Sequence, residues 1–188
     1  MRKLGGFWAI VVDVIALAAS VFHIYTAAFG LLEPRLQRGF HLLFLLPLAF
    51  LLYPRTKKSP TDCVPLSDAL LAFWAFLPSV LIVIDNERLT QRWEHVTPLL
   101  FQEWVLGIIA IILVIEAVRR AVTPVLAYVV IAALAFMALG PILPGVFHHH
   151  GITAKGIVEM MYLLADEGIY GMITGISAMF IFIFVVYG

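Results

Sequence analysis

Residues 7–29 read FWAIVVDVIALAASVFHIYTAAF, and this stretch decides the class of the fold. It holds one carboxylate, Asp13, and one imidazole, His23, in an otherwise apolar or small-residue run. Crossing the hydrocarbon of a bilayer takes about 20 such residues in a helix. A strand of a membrane barrel would alternate polar and apolar positions, and this run does not. Irregular backbone facing lipid would leave its N–H and C=O groups unpaired. The stretch is therefore read as a transmembrane α-helix. Met1-Arg2-Lys3 in front of it resembles the start of a signal peptide, but the run continues to about Ala28. That is longer than a typical signal h-region of about 7–15 residues, so the helix is expected to be retained.

The remainder of the chain repeats the pattern. Of 188 residues, 63% are hydrophobic and 13% charged, with a mean hydropathy of +1.03. A soluble domain carries about 25% charged residues. The length allows about six spans and leaves no room for a separate soluble domain. The reading is an all-α, polytopic membrane helical bundle, with short interfacial helices between spans. After Phe7–Phe29 come Phe40–Tyr53, extended if the Leu36–Gly39 turn joins it, Leu66–Ile84 with Pro78 inside, and Leu99–Val118. Thr123–Leu139 and Gly168–Tyr187 complete the set. The polar stretch His148–Glu159 is expected at an interface.

Basic residues set the orientation, because loops on the cytoplasmic side are enriched in lysine and arginine. With the N-terminus inside, Arg2, Lys3, Arg55, Lys57, Lys58, Arg119 and Arg120 are cytoplasmic, against Arg35, Arg38, Arg88, Arg92 and Lys155 outside. The outer arginines have acidic neighbours in Glu33, Asp85, Glu87 and Glu94. The expected location is a prokaryotic inner membrane with a cytoplasmic N-terminus.

Charge is balanced, 12 basic against 12 acidic residues, which gives no footprint for nucleic acid. The single cysteine, Cys63, excludes an intrachain disulfide and a cysteine metal cluster. G-x-S-x-G, P-loop and H-E-x-x-H motifs are absent from the sequence, so neither enzyme chemistry nor ATP-driven transport is expected from this chain.

A few ionisable groups stand out. Asp13 lies inside a span, where a carboxylate is costly and marks function by default. With no second acid at matching depth, pairing with another helix or with the headgroups is favoured over an ion pathway. Asp13 and Glu103 together are the only basis for a self-contained channel. His23 and His41 on neighbouring spans offer the alternative of a membrane haem protein for electron transfer, since paired imidazoles ligate haem iron. His148-His149-His150 presents donors for a divalent metal, but a defined site needs fixed geometry and supporting partners, so no metal is assigned. Glu116 precedes Arg119 and Arg120 at helical spacing and reads as an ion pair at the membrane edge, the arginines fixing orientation. Asp166-Glu167-Gly168 is placed to cap the last span. Gly171 and Gly175 form a G-x-x-x-G, a spacing that lets membrane helices pack closely.

Several stretches together carry a family resemblance. They are Phe22–Gly30, Glu33–His41, Leu45–Pro54, Leu113–Arg120, Gly140–Gly145, Glu167–Gly171 and Gly175–Phe180. In this order they resemble the N-terminal part of fused permeases of tripartite ATP-independent periplasmic (TRAP) transporters, the type served by TAXI solute receptors. The resemblance implies a secondary transporter in which a periplasmic TAXI-type receptor delivers a small organic anion and a sodium gradient drives uptake. By this likeness residues 1–120 correspond to the four-helix Q-like part that braces the transport domain. Residues 121–165 correspond to a connector helix and interfacial arm, and 166–188 to the first helix of the M-like transport domain. Family permeases continue for many more helices, and their substrate and sodium ligands lie in that continuation. The resemblance therefore places no substrate, sodium or cofactor ligand on this chain. It implies as partners the remainder of the permease, the solute receptor and the lipid bilayer.

Overall fold

A computed structural model of the chain describes residues 1–56 and 59–187. Lys57 and Lys58, two of the basic residues used for orientation, lie outside the described residues. Within them every regular element is helical, and five helices are long and apolar enough to cross a membrane.

Helix α1 is Gly6–Phe29, α2 Pro34–Leu52 and α3 Leu66–Ile84. A short α4, Asn86–Thr90, leads to α5, Phe101–Ala121, and α6, Pro124–Leu139. The second span reaches further than its apolar run because local chemistry starts it early. Pro34 occupies the first turn, where its missing N–H costs nothing, and the Glu33 carboxylate accepts from the Leu36 N–H at 3.2 Å. Thr123 begins α6 the same way, its hydroxyl accepting from the Leu126 N–H at 3.4 Å.

We call the end of the bundle that holds the N-terminus proximal and the other end distal. The long helices pack in sequence order, with α2 and α3 as the central pair. Gly39 lets them close: a β-carbon there would lie 3.1 Å from Val83 Cγ2 and 3.3 Å from Ile82 Cγ2. The proximal core gathers Leu46, Phe50, Leu51, Ala72, Ala75, Leu113 and Ala117, with Trp8 and Val12 of α1 laid against it. The distal core gathers Ile82, Leu89, Ala110, Tyr162, Leu163, Ile169 and Tyr170. Helices α1 and α6 are peripheral, with only 11% of each apolar window buried.

After α6 the chain departs from the simple span pattern. Gly140–Ile142 and Gly145–Phe147 are single 3-10 turns. Helix α7, Ala154–Val158, runs on as a π-helical turn over Glu159–Leu163. This arm packs into the bundle, with Val158, Glu159, Tyr162 and Leu163 buried. Gly107 of α5 makes the room, since a β-carbon there would meet Val158 Cγ1 at 2.6 Å and Tyr162 Cδ1 at 3.1 Å. The chain then reverses at Gly168, whose positive φ of 62° brings it onto the Met160 and Met161 backbone. Such irregular backbone is tolerated at membrane depth when protein surrounds it, and Leu163, Leu164, Ile169 and Tyr170 are all buried.

The last apolar segment begins as α8, Met172–Ile176, passes through a π-helical turn, Ser177–Ile181, and ends as α9, Phe182–Tyr187. It starts four residues later than the expected Gly168 because the reversal occupies those residues. Asp166 and Glu167 therefore do not cap it with their side chains; the Asp166 carbonyl accepts from the Met172 N–H at 3.3 Å.

Candidate functional site

The C-terminal segment meets α1 and α2 in a buried polar seam in the distal half of the bundle. His23 and His41 face each other there, and both are buried. His23 Nδ1 lies 2.7 Å from the Ala19 carbonyl oxygen, His23 Nε2 lies 2.9 Å from His41 Nδ1, and His41 Nε2 lies 3.2 Å from Ser177 Oγ. A carbonyl only accepts, so the proton of a neutral His23 sits on Nδ1. Its Nε2 then accepts from His41 Nδ1–H, and His41 Nε2 accepts the Ser177 hydroxyl. The three groups form one directed chain from Ser177 to Ala19. Phe182 stacks on the His23 ring at 4.0 Å between centroids.

Beside this chain, Gln37 Nε2 donates to Thr26 Oγ1 at 3.1 Å, and Thr26 donates to the His23 carbonyl at 3.2 Å. Arg38 donates to the Ala165 carbonyl and, at 3.2 Å, to the Tyr170 carbonyl. The Tyr170 and Ser79 hydroxyls are 2.9 Å apart, and Tyr162 donates to the Pro78 carbonyl at 2.9 Å. The seam thus attaches residues 162–182 to α1, α2 and α3 by polar contacts in an apolar surrounding, where an unmade hydrogen bond is expensive.

Two sets of ion pairs hold the ends of the bundle. At the distal end Arg88 bonds Asp85 at 2.8 Å and Glu103 at 2.7 Å. The Asp85 carboxylate, helped by Glu103, raises the Arg88 pKa above its ordinary value against the opposing effect of burial. Glu103 also accepts from the Leu100 N–H at 2.7 Å, which closes the start of α5. Arg92 bonds Glu159 of the arm at 2.6 Å, and Glu159 also accepts from the His95 N–H at 2.9 Å. Glu103 is therefore committed to a helix start and an ion pair.

At the proximal end Asp68 accepts from Arg2 and, at 2.9 Å, from Arg120 Nη1. Arg2 also donates to the Phe50 and Leu51 carbonyls at 3.0 and 2.9 Å, satisfying the end of α2. Glu116 takes Arg119 on both oxygens at 2.7 Å and Arg120 Nε at 2.7 Å. Arg120 lies over the Phe50 ring, 5.1 Å from its centroid. The expected pairing at the end of α5 is present, and Asp68 and Arg2 extend it to the N-terminus, α2 and α3.

The remaining sequence candidates fall apart from these clusters. Asp13 is exposed on α1. Gly171 fits against the Glu167 backbone in the reversal, and Gly175 faces the Arg38 guanidinium, 2.7 Å from Nε for an added β-carbon. His149 braces its own loop, with Nε2 3.1 Å from the Phe136 carbonyl and Nδ1 accepting from the Gly151 N–H at 3.0 Å. Among the described residues no group of three His, Cys, Asp or Glu side chains is arranged to hold a metal. The hydrogen bond between His23 and His41 closes the gap that a haem between them would occupy. Sequence reasoning missed Arg2, Gln37, Arg38, Asp68, Arg92, Glu159 and Ser177. Their partners lie far away in the chain, and only the buried-charge rule of membrane segments hinted at Asp68.

No protein-family model, curated protein or solved structure matches this chain.

Proposed function

We propose that this chain is the bracing membrane component of a TRAP-type secondary transporter, in a prokaryotic inner membrane with its N-terminus in the cytoplasm. Residues 1–120 form the brace, and the arm and last helix form its junction with the transport domain. A periplasmic TAXI-type receptor delivers a small organic anion, and a sodium gradient drives uptake through further helices of the permease.

One observation carries this reading. Arg38, His41 and Gly175, all within the stretches that bear the family resemblance, meet in the seam between the four-helix part and the C-terminal segment. A brace needs such a junction, in which polar side chains of one part bond the backbone and side chains of the other. The buried ion pairs at both ends support it, because they tie helices to one another.

Affinity purification of the tagged permease from membranes tests the reading. The expected result is recovery of the transport domain and, with solute present, of the secreted receptor, with Gly175→Leu weakening the first association. Recovery of neither partner would overturn it.

A further inference from the structure

Asp13 has no role in the bundle described above. Ala19, His23 and Thr26 mark the buried face of α1, and at 100° per residue Asp13 points away from them. It is exposed between Ile10 and Leu17, which are 63% and 65% exposed, and no hydrogen bond or ion pair reaches it among the described residues. At 1.5 Å per residue its Cα lies about 10 Å beyond Gly6 and about 24 Å before Phe29. An aspartate side chain is too short to carry its charge back over that distance, as lysine and arginine do. Arg2 is committed to Asp68 and the end of α2, and Lys3 precedes the first turn of α1, where its N–H is bonded to the Thr61 carbonyl. An ionisable group in a span faces protein or water and pairs there.

Ile10 and Leu17 flank Asp13 on one side, and its neighbours on the other side are small. Ala9, Ala16 and Ser20 stand four residues before, and three and seven after, so another helix can approach closely. The Ser20 hydroxyl is turned onto the Ala16 carbonyl of its own helix at 2.9 Å.

We propose that this face of α1 docks a transmembrane helix from outside residues 1–188 that carries one lysine or arginine level with Asp13. The charge chooses the occupant. A second copy of this chain, related by a two-fold axis, would bring carboxylate against carboxylate, and lipid alone would leave the charge unpaired. The inference does not depend on the transporter reading, since any partner helix with a cation at that level fits.

The test uses the purified chain in lipid vesicles and energy transfer to a synthetic leucine-rich transmembrane peptide with one lysine at the level of Asp13. The lysine peptide is expected to bind at least about tenfold more tightly than an all-leucine peptide, and Asp13→Asn to abolish the difference. Asp13→Lys should transfer the preference to a glutamate peptide. Because Asp13 is exposed and makes no hydrogen bond or ion pair among the described residues, both variants should keep the wild-type melting curve, which separates lost docking from lost fold. Equal binding of the peptides, binding of neither, or unchanged binding by Asp13→Asn would overturn the proposal. So would self-association of the chain that Asp13→Asn removes, which would assign the face to a second copy.

Discussion

His23 Nε2 and His41 Nδ1 lie 2.9 Å apart, and the same His41 ring reaches Ser177 at 3.2 Å. One imidazole therefore joins the first two helices to the C-terminal segment, and its loss would leave the buried His23 and the half-buried Ser177 without their partner.

His41→Ala is expected to destabilise the protein by about 1–3 kcal/mol, the cost of orphaned buried groups. His41→Asn should recover part of this, since its amide can still donate to His23. Thermal unfolding in detergent measures both, and equal stability of the two variants would count against the directed chain.

Asp68→Asn removes the shared partner of Arg2 and Arg120. Breaking a buried ion pair on one side costs about 3–5 kcal/mol. In a double-mutant cycle with Arg2→Met the effects should be strongly non-additive, because both act on one cluster. Additive effects would show that Arg2 and Asp68 stabilise the bundle independently.

Gly107→Val places a side chain where Val158 and Tyr162 now pack. Overpacking of this kind costs about 1–3 kcal/mol, and the expected response is displacement of the arm while α5 remains helical. A cysteine introduced at Val158, which is buried in the wild type, should then react faster with a thiol reagent in the Gly107→Val background. Unchanged reactivity would place the arm elsewhere.

Cys63, the only cysteine, is exposed between α2 and α3 at the proximal end. A cytoplasmic N-terminus predicts that a membrane-impermeant maleimide labels it in inverted vesicles and not in intact spheroplasts. Labelling in spheroplasts would reverse the orientation.

The spans were legible because each is a long apolar run; Leu66–Ile84 is observed with the expected bounds. The first turns of α2 were harder to read, since Arg35, Gln37 and Arg38 look like a polar loop. They are helical because Glu33 and Pro34 start the helix and its polar side chains turn inward. The arm was the least legible part. Lys155 and Glu159 suggest an interface, and nothing local in the sequence announces the Arg92–Glu159 pair or the notch at Gly107 that packs the segment into the bundle. In the candidate site the Glu116 cluster could be read from helical spacing alone. The bond from Arg38 to Ala165 spans 127 residues, and no local periodicity encodes it.

The most direct measurement of the proposed role is uptake of a labelled organic anion into proteoliposomes that contain the complete permease with this chain. The predicted result is uptake that needs an inward sodium gradient and added solute receptor, proceeds without ATP, and falls when His41→Ala loosens the seam. Uptake that ignores the sodium gradient and the receptor, or that requires ATP, would contradict it.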